Sequence, residues 1–232
     1  MTSPTDTRPL RLMPREMRMM TERIFSLSAM PRGFALTLTD MPMLSQHLGL
    51  GGFALLQADL PTLLAADPRA IRIRAENGAA LVLDFAGQPA WVGLNTVLDL
   101  AAELVADHGE ARITVANARH PAELAVAAAL AGRTGLALDL VATPDGARLV
   151  AGPAPVADPA LHALNHAGLM LDPALWWDIY ETARSALAPD TAVSRRHAGV
   201  QIVNEDGTIT GRADNDDDAD MAFLARGDRE RA

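Results

Sequence analysis

Residues 71–116 read IRIRAENGAALVLDFAGQPAWVGLNTVLDLAAELVADHGEARITVA, and this stretch decides the fold. Residues 71–74 and 81–85 have the short apolar pattern of strands and flank Asn77-Gly78, a pair favoured in two-residue hairpin turns. Residues 94–107 follow, with Leu94, Val97, Leu98, Ala101, Leu104 and Val105 along one helical stripe. Residues 113–116 return to a strand pattern. Working outward on the C-terminal side, residues 121–131 start a helix at Pro121 and end it at Gly132. Residues 136–141 and 148–150 then flank Asp145-Gly146, a second hairpin signal. The order β-β-α-β-α-β-β predicts a mixed β-sheet with helices on at least one face, an α/β (or α+β) protein.

On the N-terminal side, residues 1–14 are polar and Pro-punctuated and read as a flexible arm. Met13, Met17, Met20, Ile24 and Leu27 fall at helical spacing, with Arg15, Arg18 and Arg23 elsewhere on the surface. Such a helix covers a domain core. With Arg11 added, the same arginines also suit docking to a partner or to a membrane surface. Residues 35–48 and 52–66 read as two apolar helical stretches split by Gly49, Gly51 and Gly52, with Pro42 and Pro61 in a first turn or at a kink. The expected organisation is a helical N-terminal subdomain at 15–67, an α/β core at 68–152 and C-terminal helices at 153–188. The strongest of these helices starts at the N-cap Asp172 and Pro173. A polar, acidic tail at 189–232 completes it, with a hairpin at 200–210 turning on Asp206-Gly207.

Composition narrows the function. The chain has 232 residues, 49% hydrophobic and 21% charged, enough for a full core. It has no cysteine, which excludes disulfides, thiolate zinc sites and a cysteine nucleophile. The formal charge of −9 argues against a nucleic-acid partner, because phosphate binding needs a basic face. No run approaches the roughly 18 apolar residues of a transmembrane span. The arginine-bearing N-terminus lacks the apolar core of a secretory signal, so a cytoplasmic location is expected.

Chemistry-bearing residues are few. His162 and His166 stand four apart and would share a helix face, but no third ligand accompanies them and no metal is assigned. Residues 214–220 open like a calcium loop, yet Ala219 stands where the turn needs Gly and Ala225 where it needs Glu, which leaves a solvated acidic run. Ser194 and Arg195 combine a hydroxyl with a guanidinium able to hold an anion. Trp176 and Trp177 point about 100° apart on a helix, so one packs inward and the other faces a groove or contact.

A tryptophan helix, a proline, Ser-Arg, a glycine and a closing Asp-Asn-Asp are here Trp176, Pro189, Ser194, Arg195, Gly199, Asp214, Asn215 and Asp216. This pattern resembles an uncharacterised bacterial domain-of-unknown-function family. A longer insert separates Arg195 from Asp214 than in that pattern, and the family implies no reaction. The reading that follows is a bacterial metabolic protein acting on a small anionic or polar ligand. Arg195, Ser194, Asn215 and Trp176 are its candidate binding residues, and Asp214 and Asp216 its candidate bases. The alternative is a non-catalytic partner subunit docking through the N-terminal helix and tail. No cofactor is indicated, and whether the chain is an enzyme is left open.

Overall fold

The computed structural model describes residues 8–187, with the backbone of 202–203 and 209–210. Strand β1 (Leu10–Leu12) leads into helix α1 (Pro14–Phe25), so these residues are a strand and not part of a free arm. Four short helices follow: α2 (Arg32–Thr37), α3 (Met41–His47), α4 (Gly52–Ala58) and α5 (Leu60–Ala65). The stretches 35–48 and 52–66 are thus each broken. Pro42 and Pro61 cannot donate to a continuing helix, so each sits in the first turn of a new one. An aspartate occupies the junction both times, Asp40 before α3 and Asp59 before α5.

The sheet comes next. Strands β2 (Arg72–Asn77) and β3 (Ala80–Asp84) form a hairpin, and helix α6 (Ala90–His108) carries the chain to β4 (Ala111–Ala116), parallel to β3. Gly109 ends α6 in the left-handed conformation at φ 79°, which costs a residue without Cβ little. A 3₁₀ turn (Pro121–Ala125) and helix α7 (Val126–Ala131) replace the single helix expected over 121–131. Strands β5 (Leu136–Thr143) and β6 (Gly146–Pro153) complete a mixed five-stranded sheet of order β2-β3-β4-β6-β5.

Both hairpins turn one residue away from the expected pair. Asn77 pairs with Ala80, so the loop is Gly78-Ala79, and Thr143 pairs with Gly146, so the loop is Pro144-Asp145. Gly146 is a glycine for another reason. A Cβ there would lie 1.9 Å from the Val115 carbonyl oxygen, so the close crossing of β4 and β6 requires the bare backbone.

Alternation sets the layers. Leu81, Leu83, Ile113, Val115, Ala147 and Leu149 are buried, whereas Arg112, Arg148 and Val150 between them face solvent. The apolar stripe of α6 (Leu94, Val97, Leu98, Ala101) joins that inner face in one continuous core with Met17, Ile24 and Phe53 of the helical segment. Helix α8 (Pro159–Ala167), strand β7 (Leu169–Leu171) and helix α9 (Pro173–Arg184) close the layer, with β7 antiparallel to β1. Asp172 caps α9, accepting from the Ala174 and Leu175 amides. Among the described residues, no helix is long and apolar enough to cross a membrane. In the separate unit beyond residue 187, β8 (Ile202–Val203) and β9 (Ile209–Thr210) pair antiparallel.

Candidate functional site

Parallel strands deliver their following loops to one edge of a sheet, and open α/β sheets place ligands there. The loops after β3 and β4 lie side by side. The Phe85 amide donates to the Ala116 carbonyl and the Gly87 amide to the Asn117 carbonyl, at 2.9 and 2.8 Å. These loops hold every described non-glycine residue with positive φ: Ala86 (52°), Asn117 (55°) and His120 (55°). Left-handed conformations cost such residues energy, and they persist where surrounding contacts impose them.

Asp84 imposes the first two. Its Oδ1 accepts from the Ala86 amide at 2.8 Å and from Asn117 Nδ2 at 3.0 Å, while Oδ2 accepts from Arg74 Nε and Nη2. The hydrogen bonds from Asn117, Arg74 and the Ala86 amide hold this carboxyl down to about 2. Arg74, Asp84, Ala86, Gly87, Asn117, Ala118 and Arg119 line an open cleft of about 610 Å³.

Arg119, on the cleft's lining, reaches away from it to Asp59, which stands at the helix break before Pro61. Asp59 is buried and accepts from Arg119 at both oxygens, Nε to Oδ2 at 2.8 Å and Nη2 to Oδ1 at 2.7 Å. His120 Nε2 lies 2.8 Å from the same Oδ2. The Arg119 bond holds the Asp59 carboxyl well below the usual carboxylate range, against the opposing effect of burial. An ionised Asp59 can only accept, so the His120 Nε2 that faces it is the donor of this contact.

Glu123 lies beyond. It is buried, accepts from Trp91 Nε1 at 2.8 Å, and its amide donates to the His120 carbonyl at 2.9 Å. Burial pushes its carboxyl up, opposed by Ser45, Trp91 and the nearby His120. Of the two carboxyls near His120, Asp59 is thus held low by its partners and Glu123 is pushed up by burial.

The residues singled out in sequence lie elsewhere. Trp176, on α9, packs edge-on against Phe53, ring centroids 5.8 Å apart and planes at 88°. Trp177 stacks on Tyr180 at 5.2 Å. Ser194, Arg195, Asp214, Asn215 and Asp216 fall outside the described residues. His162 and His166 share a face of α8 with ring centroids 5.6 Å apart, and no group of three metal-ligating side chains occurs among the described residues. Of the N-terminal arginines, Arg11 donates to the His166 and Ala167 carbonyls and Arg18 to Asp40, so both are engaged within the protein. The sequence reading missed Asp59, Arg119, His120 and Glu123. Their signal is Asp59-Leu60-Pro61, an aspartate at a helix start two before a proline, and Arg119-His120-Pro121, where proline denies His120 the right-handed helical region.

No family model matches the chain, and no curated protein matches it. Solved dehydrogenase structures are similar in fold at low scores. The sulfolactate dehydrogenase of Methanocaldococcus jannaschii is 18% identical with a TM-score of 0.40, over 48% of this chain and 34% of that one. The malate dehydrogenase of Entamoeba histolytica is 10% identical with a TM-score of 0.45, over 77% of this chain and 62% of that one. A dehydrogenase of Sinorhizobium meliloti is 17% identical with a TM-score of 0.46, over 79% of this chain and 73% of that one. The chain spans about a third of the first and less than two thirds of the second. Likeness at this level carries no argument about chemistry.

Proposed function

We propose that this chain is a metabolic enzyme that binds a small anionic ligand in the cleft after β3 and β4 and moves a proton through His120. The observation that carries the reading is the single oxygen of Asp59 that holds both Arg119 and His120. One carboxylate thereby fixes Arg119, which lines the cleft, and His120, its neighbour in sequence, a cation and an acid–base side chain held by the same group. Arg74 and Arg119 each spend Nε and Nη2 on an aspartate and keep Nη1 for a ligand. The guanidinium edge suits a carboxylate or phosphate.

The test is an NMR titration of the full chain with short mono- and dicarboxylates and inorganic phosphate, reading the imidazole resonances of His120. At least one anion should shift them, and Arg119→Leu should abolish the shift while the fold persists. Silence of His120 across the panel would overturn the proposal.

A further inference from the structure

The two edges of the five-stranded sheet are built differently. At one edge, β2 is bulged between Ile73 and Ala75 and carries Arg72, Arg74 and Glu76. Bulges and charges are the usual devices that keep an edge strand from pairing with another chain. At the other edge, β5 keeps register with β6 over all eight residues, from Leu136 opposite Pro153 to Thr143 opposite Gly146. Asp139 is its only charge. Val141 is 68% exposed, and Val150, paired with Asp139, is 49% exposed. A long, regular and mostly apolar strand is left at this edge.

The register shows which backbone groups stay open. Thr143 and Gly146 close a two-residue loop, and the Ala154 amide donates to the Gly135 carbonyl at 2.8 Å. Antiparallel pairs alternate, so the odd-numbered residues of β5 exchange their bonds with β6. The amides and carbonyls of Leu136, Leu138, Leu140 and Ala142 therefore point away from the sheet. Among the described residues, no backbone bond from outside the sheet reaches them. Asp139 and Val141, with their cross-strand partners Val150 and Arg148, are exposed on the face opposite the core. Neither the Asp139 nor the Arg148 side chain has a hydrogen-bond or ion-pair partner among the described residues.

These two charges select an occupant and a register. When a second copy lies antiparallel on the edge with the two-fold axis at Leu140, Leu138 faces Ala142 and Asp139 faces Val141. Each row across the two molecules then reads Val150, Asp139, Val141, Arg148. It holds one carboxylate and one guanidinium, about 10 Å apart at the backbone, a span the two side chains cover. An axis at residue 139 sets Asp139 against its own copy. An axis at residue 141 leaves two arginines and no acid in one row. Only the axis at Leu140 makes the edge its own electrostatic complement.

We propose that this chain forms a two-fold dimer in which β5 pairs antiparallel with β5 of a second copy about Leu140, joining two five-stranded sheets into one of ten strands.

The experiment is sedimentation of the full chain from low to high micromolar concentration, where the parent should dimerise reversibly. Asp139→Arg should weaken the dimer about tenfold or more, and Arg148→Asp likewise. The double variant should return to within about threefold of the parent, because the exchanged charges still alternate. Ala142→Pro removes an outward N–H that β6 does not use, so it should fold and stay monomeric. If it fails to fold, the charge reversals decide, since both lie on the surface. The chain has no cysteine, so Leu140→Cys should cross-link to its copy under mild oxidation, the two Cα atoms lying about 5.5 Å apart. Ile73→Cys, on the β2 edge, should not. A monomer at every concentration, a dimer indifferent to the charge reversals, or a dimer that Leu140→Cys fails to cross-link would each overturn the assignment. So would a monomer whose Leu138 and Leu140 amides resist hydrogen exchange, which would give the edge to another segment of the same chain. None of these readouts involves His120, so the dimer and the anion cleft stand or fall separately.

Discussion

Asp59 Oδ2 lies 2.8 Å from His120 Nε2 and 2.8 Å from Arg119 Nε, so one oxygen atom serves two side chains that are adjacent in sequence. Asp59→Asn keeps the size but replaces half of the acceptor with an amide. Arg119 then loses its paired carboxylate and His120 its fixed tautomer. The expected result is a stability loss of roughly 1–3 kcal/mol, as for a buried polar group left unmatched, with anion binding weakened about tenfold or more. Urea denaturation and the His120 titration check the two parts separately.

Glu123 links stability to pH with the opposite sign from a paired carboxylate. Its value in the folded protein is raised by burial, so between the unfolded and folded values the folded state binds more protons. Its stabilising contribution is present below the unfolded value and lost as pH rises through the folded one. Glu123→Gln still offers a carbonyl to Trp91 Nε1 and removes the buried charge. Its Tm should exceed that of the parent at pH 8 and match or fall below it at pH 4. A variant with the parent's pH profile would show that Glu123 is not shifted.

Asp40, Asp59 and Asp84 behave the other way. All three are held below the ordinary carboxylate range, Asp84 at about 2. Folded values below unfolded ones give stability that is present above the unfolded value and lost as pH falls through the folded one. Guanidinium denaturation should therefore show a plateau down to about pH 5 and a steep fall below about pH 4, near the ordinary aspartate value. Arg119→Gln should flatten that fall, because Asp59 loses the bond that lowers it.

Gly146 and Gly152 lie on the same strand and should respond in opposite ways. A Cβ at Gly146 would meet the Val115 carbonyl oxygen at 1.9 Å, whereas one at Gly152 has nothing within 4 Å. Gly146→Ala should cost roughly 3 kcal/mol or more, since the obstacle is backbone, while Gly152→Ala should change stability by no more than about 0.5 kcal/mol. Thermal melts of the two variants compare them directly.

Short-range chemistry in the sequence was enough to predict a mixed sheet and the order of its elements along the chain. Alternation along β3 and β4, the stripe of α6 and the cap at Asp172 are local patterns, and the element order they predict is the one the fold contains. The second hairpin turns one residue early, and Gly146 lies instead in β6 against Val115, a neighbour on another strand. The tail residues Ser194, Arg195, Asp214, Asn215 and Asp216 drew attention by their chemistry alone. The cleft residues did not, because Asp59 and His120 are 61 positions apart and neither is conspicuous by itself. Pro42 and Pro61 carry the helix breaks in plain sight. Only the tertiary structure decides where the aspartates beside them point, because that depends on which arginine the packed sheet and helices bring within reach. Through periodicity and turn signals, the sequence determined the order of strands and helices from β2 to β6. The site was determined by the packing of those elements, which brings Asp59 to His120 from distant parts of the chain.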